Sequence, residues 1–188
     1  MKIALIGSHG VGKTTLCFEL AAALKRRHAD VEMVREVARR SPLPINQETT
    51  VAAQEWILHT QIAWEIEAAA NSEVVLCDRS VLDNYCYLVH AAGSLRAWES
   101  FIDHWLLTYD LLAYVPISEH PSYDGVRAVD PGFQQLIDVL LEGMIAARGL
   151  TPLRLEPSGR ESWCDVIVDT VVPMLDPTLP LFEEDAAT

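Results

Sequence analysis

A glycine-rich segment near the start of the chain holds the residues best suited to chemistry. It reads Gly7-Ser8-His9-Gly10-Val11-Gly12-Lys13-Thr14 and matches the pattern G-x-x-x-x-G-K-[ST] at every fixed position. Glycines at this spacing let the backbone wrap closely around a phosphate, so that successive N–H groups point inward. The segment therefore predicts a loop that binds the phosphates of a nucleotide, with the next residue, Thr15, as a further contact.

Two side chains at the end of this loop predict which nucleotide and which ion it binds. Lys13 is a point charge that can reach the β- and γ-phosphates of ATP, and the hydroxyl of Thr14 is placed to ligate Mg²⁺. The helix predicted to begin at Lys13 adds the positive end of its dipole. We therefore expect ATP and Mg²⁺ as ligands and a catalytic role for Lys13. The side chain of His9, within the loop, is expected to point to solvent.

The hydrophobic pattern predicts the elements that position this loop. An apolar run over residues 2–6 is typical of a buried strand, and apolar residues at helical spacing follow from 13 to about 28. Further strands are predicted near 31–35, 73–77, 111–115 and 150–155, and helices over about 48–71, 82–91, 95–108, 133–148 and 161–175. Strands that alternate with helices form a parallel sheet covered on both faces. We predict a three-layer α/β/α domain of the P-loop NTPase class with a five-stranded parallel sheet.

The chain is expected to fold as one domain. Its 188 residues suffice for a single core and are too few for two comfortable ones. Residues 117–132 contain proline, glycine and charged residues with little periodicity, and they predict a mobile lid. Residues 176–188 hold two prolines and four acids and predict a loosely held acidic tail. The domain itself is therefore assigned to residues 1–175.

Charged residues follow two of the predicted strands, where ligands bind in parallel sheets. Glu36 follows the second strand and Asp78 follows the third. Asp78 predicts a direct or indirect magnesium ligand, although a helix N-cap without chemistry would use the same residue type. Arg79 can contact a transferred phosphate through two hydrogen bonds, or it can form a structural ion pair. Ser80 is expected to cap the next helix.

Three short motifs, in their order along the chain, resemble those of known kinases. Arg35-Glu36-Val37-Ala38-Arg39 resembles the Glu-x-Ala-Arg element of the nicotinamide riboside kinase-like group. Asp78-Arg79-Ser80 resembles the Glu/Asp-Arg-Ser/Tyr motif of deoxynucleoside and thymidylate kinases. Asp124-Gly125-Val126-Arg127 is similar to the lid of the first group, and the match continues with Asp130, Phe133 and Asp138. Together with the phosphate loop, the resemblance spans nearly the whole chain.

The resemblance implies a kinase that transfers the γ-phosphate of ATP to a small hydroxyl-bearing acceptor, such as a nucleoside, a riboside or a nucleoside monophosphate. Glu36 would be the general base or would bind the acceptor hydroxyl, with an exposed loop acid as the alternative. Arg127 in the lid would close over the phosphates, unless it is a surface arginine. The resemblance also implies base-reading residues on the long helix, where Gln54, Gln61 and Glu65 share one face.

Composition and charge argue against several other classes of protein. The 14 Lys and Arg against 27 Asp and Glu give a net charge of −13, which repels phosphate polymers and disfavours nucleic acid as a partner. Four separated cysteines form neither a zinc pattern nor a disulfide framework. No apolar run reaches the roughly 18–20 residues of a membrane span, and no signal-peptide pattern follows Met1. We therefore expect a cytoplasmic protein without a membrane partner, and whether it forms a homodimer stays open.

Two other functions stay open at this point. A regulatory ATPase or switch would bind the same nucleotide and act through a protein partner. A GTPase of the Ras type is disfavoured, because the chain has no Asn/Thr-Lys-x-Asp element. A kinase that acts on nucleic-acid ends or modified bases would need a basic cleft on an acidic protein. Phosphoryl transfer to a panel of acceptors discriminates among the three.

Overall fold

The sheet at the centre of the molecule is parallel throughout. The computed structural model describes residues 1–117 and 130–175. The strands are β1 Lys2–Ile6, β2 Val31–Val34, β3 Val74–Asp78, β4 Leu111–Tyr114 and β5 Leu153–Arg154. Their order is β2-β3-β1-β4-β5, and each neighbouring pair is parallel. The predicted five-stranded parallel sheet is confirmed.

Helices cover both faces of this sheet. They are α1 Lys13–Arg26, α2 Val51–Asn71, α3 Val81–Ala92, α4 Arg96–Leu106, α5 Pro131–Ala147 and α6 Trp163–Leu175. Residues of β1 point alternately to the two faces. Ile3 and Leu5 pack with α1 and α6, whereas Ile6 packs with α2, α3 and α5. The result is the predicted three-layer α/β/α arrangement, with β1 buried along its whole length at the centre.

Helix starts differ from the sequence prediction by a few residues. α2 begins at Val51 and not at 48, because the Thr50 hydroxyl caps it by accepting a hydrogen bond from a backbone N–H of the first turn at 3.2 Å. α5 begins at Pro131 and not at 133, because Asp130 caps it and proline suits the first helical position. α6 begins at Trp163, after a short 3₁₀ turn. The strand β5 is shorter than predicted, with two residues.

Part of the chain lies outside the described residues. The predicted lid falls mostly there, with Asp124 and Arg127, so the role of Arg127 stays a prediction. The same holds for the acidic tail over 176–188 and for the assignment of residues 1–175 to one domain. Among the helices of the described part, none is long and apolar enough to cross a membrane. The four cysteines are free thiols.

Candidate functional site

The glycine-rich loop connects β1 to α1 and needs glycine for its shape. The backbone of Gly7 has a φ of +147°, and a Cβ atom there would lie 2.5 Å from the carbonyl oxygen of Val115. Gly12, the N-cap of α1, has a φ of +95°. Residues with side chains rarely adopt these backbone angles. The N–H of Gly7 donates to Asp83 Oδ1 at 2.9 Å, which fixes the loop to α3.

Lys13 extends back into the loop that precedes it. Its buried ammonium group donates to the carbonyl oxygens of Gly7 at 2.7 Å and Ser8 at 2.5 Å. Burial lowers the pKa of Lys13 from 10.5 to about 8, and repulsion from the Arg79 guanidinium is the second cause. A positive charge is thus held at the centre of the loop, where a phosphate would offset the cost of burying it.

Thr14 and Asp78 meet beside the loop. In the parallel pairing of β1 with β3, Asp78 lies opposite Leu5, just before the loop begins. The Thr14 hydroxyl donates to Asp78 Oδ2 at 2.6 Å. The other oxygen, Oδ1, is buried and accepts no hydrogen bond from the described residues. Burial is the main cause that raises the pKa of this carboxyl group, and the nearby Glu36 carboxylate adds to it.

This pair of oxygen donors fits a magnesium ion. Mg²⁺ takes hard oxygen ligands and is usually held by one or two carboxylates together with substrate phosphates and water. The Thr14 hydroxyl and the open Asp78 oxygen provide such ligands next to the phosphate loop. Within residues 1–117 and 130–175, no group of three or more His, Cys, Asp or Glu side chains offers a self-sufficient metal site. The arrangement therefore suits an ion that arrives with a nucleotide.

Glu36 lies just after β2 and is held between two arginines. Its Oε1 accepts a hydrogen bond from Arg79 Nε at 2.8 Å and lies 2.8 Å from Nη2 of the same guanidinium. Its Oε2 accepts from Arg39 Nε at 2.9 Å. The side chains of Glu36 and Arg79 are 6% and 5% exposed, so the alternative of an exposed loop acid is wrong. The ion pair considered for Arg79 is present, and its partner is Glu36.

Arg79 has a backbone conformation that is rare for a residue with a side chain. Its φ is +98°. The guanidinium lies 5.2 Å from the centroid of the Tyr87 ring, and its Nη1 is buried without a hydrogen-bond partner among the described residues. Residues strained in this way persist only where the surrounding contacts hold them, and they cluster at ligand sites.

Ser80 and Asp83 fix the start of α3. The Ser80 hydroxyl accepts from the N–H of Leu82 at 3.1 Å, and Asp83 Oδ2 accepts from the N–H of Ser80 at 2.9 Å. The predicted cap is confirmed, in the form of a capping box. The second oxygen of Asp83 accepts from the loop N–H of Gly7. Sequence reasoning missed this link, although the Ser-x-x-Asp spacing is a sign of such a box.

A small cavity opens beside Glu36, between α2, α3 and the loop. Its enclosed space measures about 20 Å³ and continues into an open mouth, and it is lined by His9, Glu36, Ala38, Arg39, Ile45, Asn46, Gln54, Ile57, Arg79, Asn84 and Tyr87. The amide nitrogen of Asn84 is buried and has no hydrogen-bond partner among the described residues. Two lining residues, Asn84 and Arg79, therefore carry buried donors that a bound molecule can satisfy.

The prediction that His9 points to solvent is wrong. The residue is 1% exposed, and its Nδ1 lies 3.1 Å from the Tyr87 hydroxyl. Its ring centroid lies 5.3 Å from that of Phe133, and its carbonyl oxygen accepts from the Gln134 amide at 2.7 Å. α3 and α5 thus cover the loop on this side, through long-range packing that the local sequence pattern does not reveal.

The three residues predicted to share one face of α2 are all buried, but they serve different parts of the molecule. Gln54 lines the cavity. Gln61 donates to Glu65 at 2.9 Å, and Glu65 also accepts hydrogen bonds from Lys2, Trp105 and Tyr109. Gln61 and Glu65 therefore belong to a polar cluster of the core that joins α2 to β1 and α4, and the structure does not bring them to the cavity.

The fold and the loop define a P-loop α/β domain. Residues 2–162 match the AAA domain family, and the chain belongs to that family. No curated protein matches the sequence.

Solved structures with a similar fold include deoxyadenosine kinase from M. mycoides with bound dATP. The TM-score is 0.64 at 16% sequence identity, over 92% of this chain and 99% of that chain. The same enzyme with the products dCMP and a flexible dCDP bound gives a TM-score of 0.60 at the same identity and coverage. The resemblance to P-loop kinases of deoxynucleosides is thus confirmed at the level of the fold.

Proposed function

We propose that this protein is an ATP-dependent kinase that transfers the γ-phosphate to a hydroxyl group of a small acceptor, in the first place a nucleoside. The observation that carries the proposal is the position of Glu36, a buried carboxylate that lines a cavity shared with the phosphate loop. Phosphoryl transfer needs a nucleotide site and an acceptor site side by side, since it depends mainly on positioning and electrostatic stabilisation.

The phosphate loop provides the nucleotide side of the reaction. Its backbone N–H groups and the Lys13 ammonium bind the phosphates, which take the place of the two carbonyl oxygens that now hold Lys13. Thr14 and Asp78 would hold Mg²⁺, which neutralises negative charge on the phosphate oxygens when bound. The open oxygen of Asp78 supports this role.

Glu36 provides the acceptor side. The acceptor hydroxyl donates a hydrogen bond to the Glu36 carboxylate. As the new O–P bond forms, the proton passes to Glu36 and the bond to the leaving ADP breaks. Arg79 and Arg39 each hold one oxygen of the carboxylate, so its orientation is fixed before the acceptor arrives. Arg79, whose Nη1 has no hydrogen-bond partner among the described residues, would offset charge on the transferred group, and Arg127 from the predicted lid would add to it.

Two amide side chains support a nucleoside as the acceptor. Gln54 on α2 and Asn84 on α3 line the cavity together with the apolar faces of Ile57 and Tyr87. Amides pair with the hydrogen-bonding edge of a base, and apolar or aromatic side chains contact its faces. The buried donor of Asn84 would meet a carbonyl oxygen or ring nitrogen of that base once the cavity has widened to admit it, because the enclosed space measures only about 20 Å³. Because the similar solved structures are of a deoxyadenosine kinase, deoxynucleosides are the first acceptors to try.

The cavity favours a kinase over a regulatory ATPase. An ATPase transfers the phosphate to water, and water needs no cavity lined with amides and no carboxylate oriented by two guanidinium groups. The net charge of −13 favours a small acceptor over the end of a nucleic acid, because a polyanion is repelled.

The test is the transfer of label from γ-labelled ATP in the presence of Mg²⁺. The panel contains nucleosides, deoxynucleosides, nicotinamide riboside, nucleoside monophosphates and a 5′-hydroxyl oligonucleotide. We expect label on a small acceptor, with deoxynucleosides labelled fastest. A 5′-deoxynucleoside is the matched control for the site of transfer, because it must stay unlabelled if the 5′-hydroxyl is the group that reacts. Label that appears only as free phosphate would contradict the proposal and favour the regulatory ATPase.

A further inference from the structure

Tyr87 connects the two halves of the site. Its hydroxyl lies 3.1 Å from Nδ1 of His9 in the phosphate loop. Its ring lies beneath the Arg79 guanidinium, 5.2 Å from the ring centroid, and Arg79 in turn donates to Glu36 at 2.8 Å. A continuous series of contacts therefore runs from the phosphate loop to the carboxylate of the cavity.

The loop end of this series is held firmly. Tyr87 is 7% exposed and packs edge-on against Phe133, with the ring centroids 6.1 Å apart. His9 packs against the same ring, and its carbonyl oxygen accepts from Gln134. Phe133 and Gln134 belong to the first turn of α5. Because the loop, α3 and α5 all meet at Tyr87, and the Tyr87 hydroxyl contacts His9 directly, a shift of His9 changes the surroundings of Tyr87 even though both residues border the cavity.

Arg79 is the element of the series that can change its conformation. Its φ of +98° is unfavourable for a residue with a side chain and persists only while contacts hold it. The Tyr87 ring and the Glu36 carboxylate are two of these contacts. A change at Tyr87 therefore alters how firmly Arg79, and with it Glu36, is held.

We propose that Tyr87 is a positioning residue that couples the occupancy of the phosphate loop to the pose of Arg79 and Glu36. Nucleotide binding then prepares the cavity for the acceptor. The benefit for catalysis rests on the proposed kinase function, whereas the coupling itself is measured with nucleotide alone.

The test compares Tyr87→Phe with Tyr85→Phe. Tyr85 is buried in the same helix, and its hydroxyl donates to Glu99 at 2.9 Å. Each change removes one hydroxyl and keeps the ring, but Tyr87→Phe alone breaks the contact with His9. The ¹⁵N signal of Arg79 Nε, assigned with Arg79→Lys, is followed as ADP and Mg²⁺ are added. We expect it to shift in the wild type and in Tyr85→Phe, and to stay near its nucleotide-free position in Tyr87→Phe at saturating ADP. An equal shift in Tyr87→Phe, or no shift in the wild type, would overturn the inference.

A second measurement uses the acceptor that the labelling panel identifies. With a non-hydrolysable ATP analogue bound, the wild type should bind this acceptor roughly 5-fold or more tightly than without it, and the acceptor should tighten analogue binding by the same factor. In Tyr87→Phe the ATP analogue should no longer tighten acceptor binding, while the melting temperature stays close to that of Tyr85→Phe. If the melting temperature falls and the analogue still tightens acceptor binding, Tyr87 has a structural role only and the proposal is contradicted. Failure of every acceptor in the panel would refute the kinase function, and the ADP titration would still decide the coupling.

Discussion

Replacing Glu36 by glutamine separates the chemical role of this residue from its structural one. The change keeps the size of the side chain and one hydrogen-bond acceptor, but it removes the group that takes the proton of the acceptor hydroxyl. A general base contributes roughly 10²–10⁴-fold to a rate, which is about 3–5 kcal/mol of activation free energy. We therefore expect kcat for phosphoryl transfer to fall by at least about 100-fold.

The same change also has a structural cost. Each oxygen of Glu36 accepts from a different arginine, and a glutamine oxygen can serve only one of them. The buried Arg79 should keep it, because the Arg39 side chain is 34% exposed and can be solvated. Arg79 is nevertheless left as a buried charge without its counter-charge, and removing one partner of a buried ion pair costs about 3–5 kcal/mol. Since a domain is stable by roughly 5–15 kcal/mol, the variant should remain folded.

The assay combines kcat from label transfer, nucleotide affinity from calorimetry and the free energy of unfolding from denaturant titration. Glu32→Gln is the matched control, because it makes the same chemical change at an exposed position of β2. It should behave like the wild type in all three measurements, and Glu36→Gln should keep its nucleotide affinity. Wild-type transfer by Glu36→Gln would remove this residue as the base. If Glu36→Gln loses both nucleotide affinity and phosphoryl transfer, the defect lies in the fold and not in the chemical step.

Three further perturbations test the phosphate side. The pKa of Lys13 is lowered to about 8, so above that pH nucleotide binding must return a proton to Lys13, and nucleotide affinity should fall as pH rises. Calorimetry in buffers of different ionisation enthalpy should detect this proton uptake in the wild type and not in Lys13→Arg. The same shift should make the free energy of unfolding of the empty protein rise with pH from about 8 to 10.5, because the folded chain binds fewer protons there. Asp78→Asn should raise the Mg²⁺ concentration for half-maximal transfer by roughly 10–100-fold, with stability kept, since burial already disfavours the charged carboxyl group. Gly7→Ala places a Cβ 2.5 Å from the Val115 carbonyl oxygen. It should lower the free energy of unfolding by at least about 1–3 kcal/mol in denaturant titration, whereas Gly143→Ala, with open space around it, should not; equal stability of the two variants would contradict this.

The sheet and the phosphate loop could be predicted because their signals are local. The apolar run of β1 and the fixed glycine, lysine and threonine positions of the loop stand next to each other in the sequence. The carboxylates could be located because parallel strands end at one edge of a sheet. From the sequence, however, Asp78 was an acid after a strand, and its 2.6 Å contact with Thr14 follows only from the pairing of β1 with β3.

The rest of the site depends on contacts between distant segments. The contact of His9 with Tyr87 spans 78 residues, and that of Asp83 with Gly7 spans 76. Periodicity predicted correctly that Gln61 and Glu65 share one face of α2, and the structure shows that both are buried. It could not reveal what covers that face, since the partners of Glu65 come from β1, α4 and the segment before β4. Local patterns indicate which side chains share a face of a helix or strand, and tertiary packing decides which of them are buried and which meet a ligand.

The ratio of ADP to phosphorylated acceptor tests the central claim most directly. The protein is incubated with ATP, Mg²⁺ and the best acceptor of the panel, and both products are quantified over time. We predict that the two form in equal amounts, that the acceptor accelerates ATP consumption, and that consumption slows when the acceptor is exhausted. If ADP and free phosphate form at the same rate with and without acceptor, and no phosphorylated acceptor appears, the protein is an ATPase and the kinase assignment is wrong.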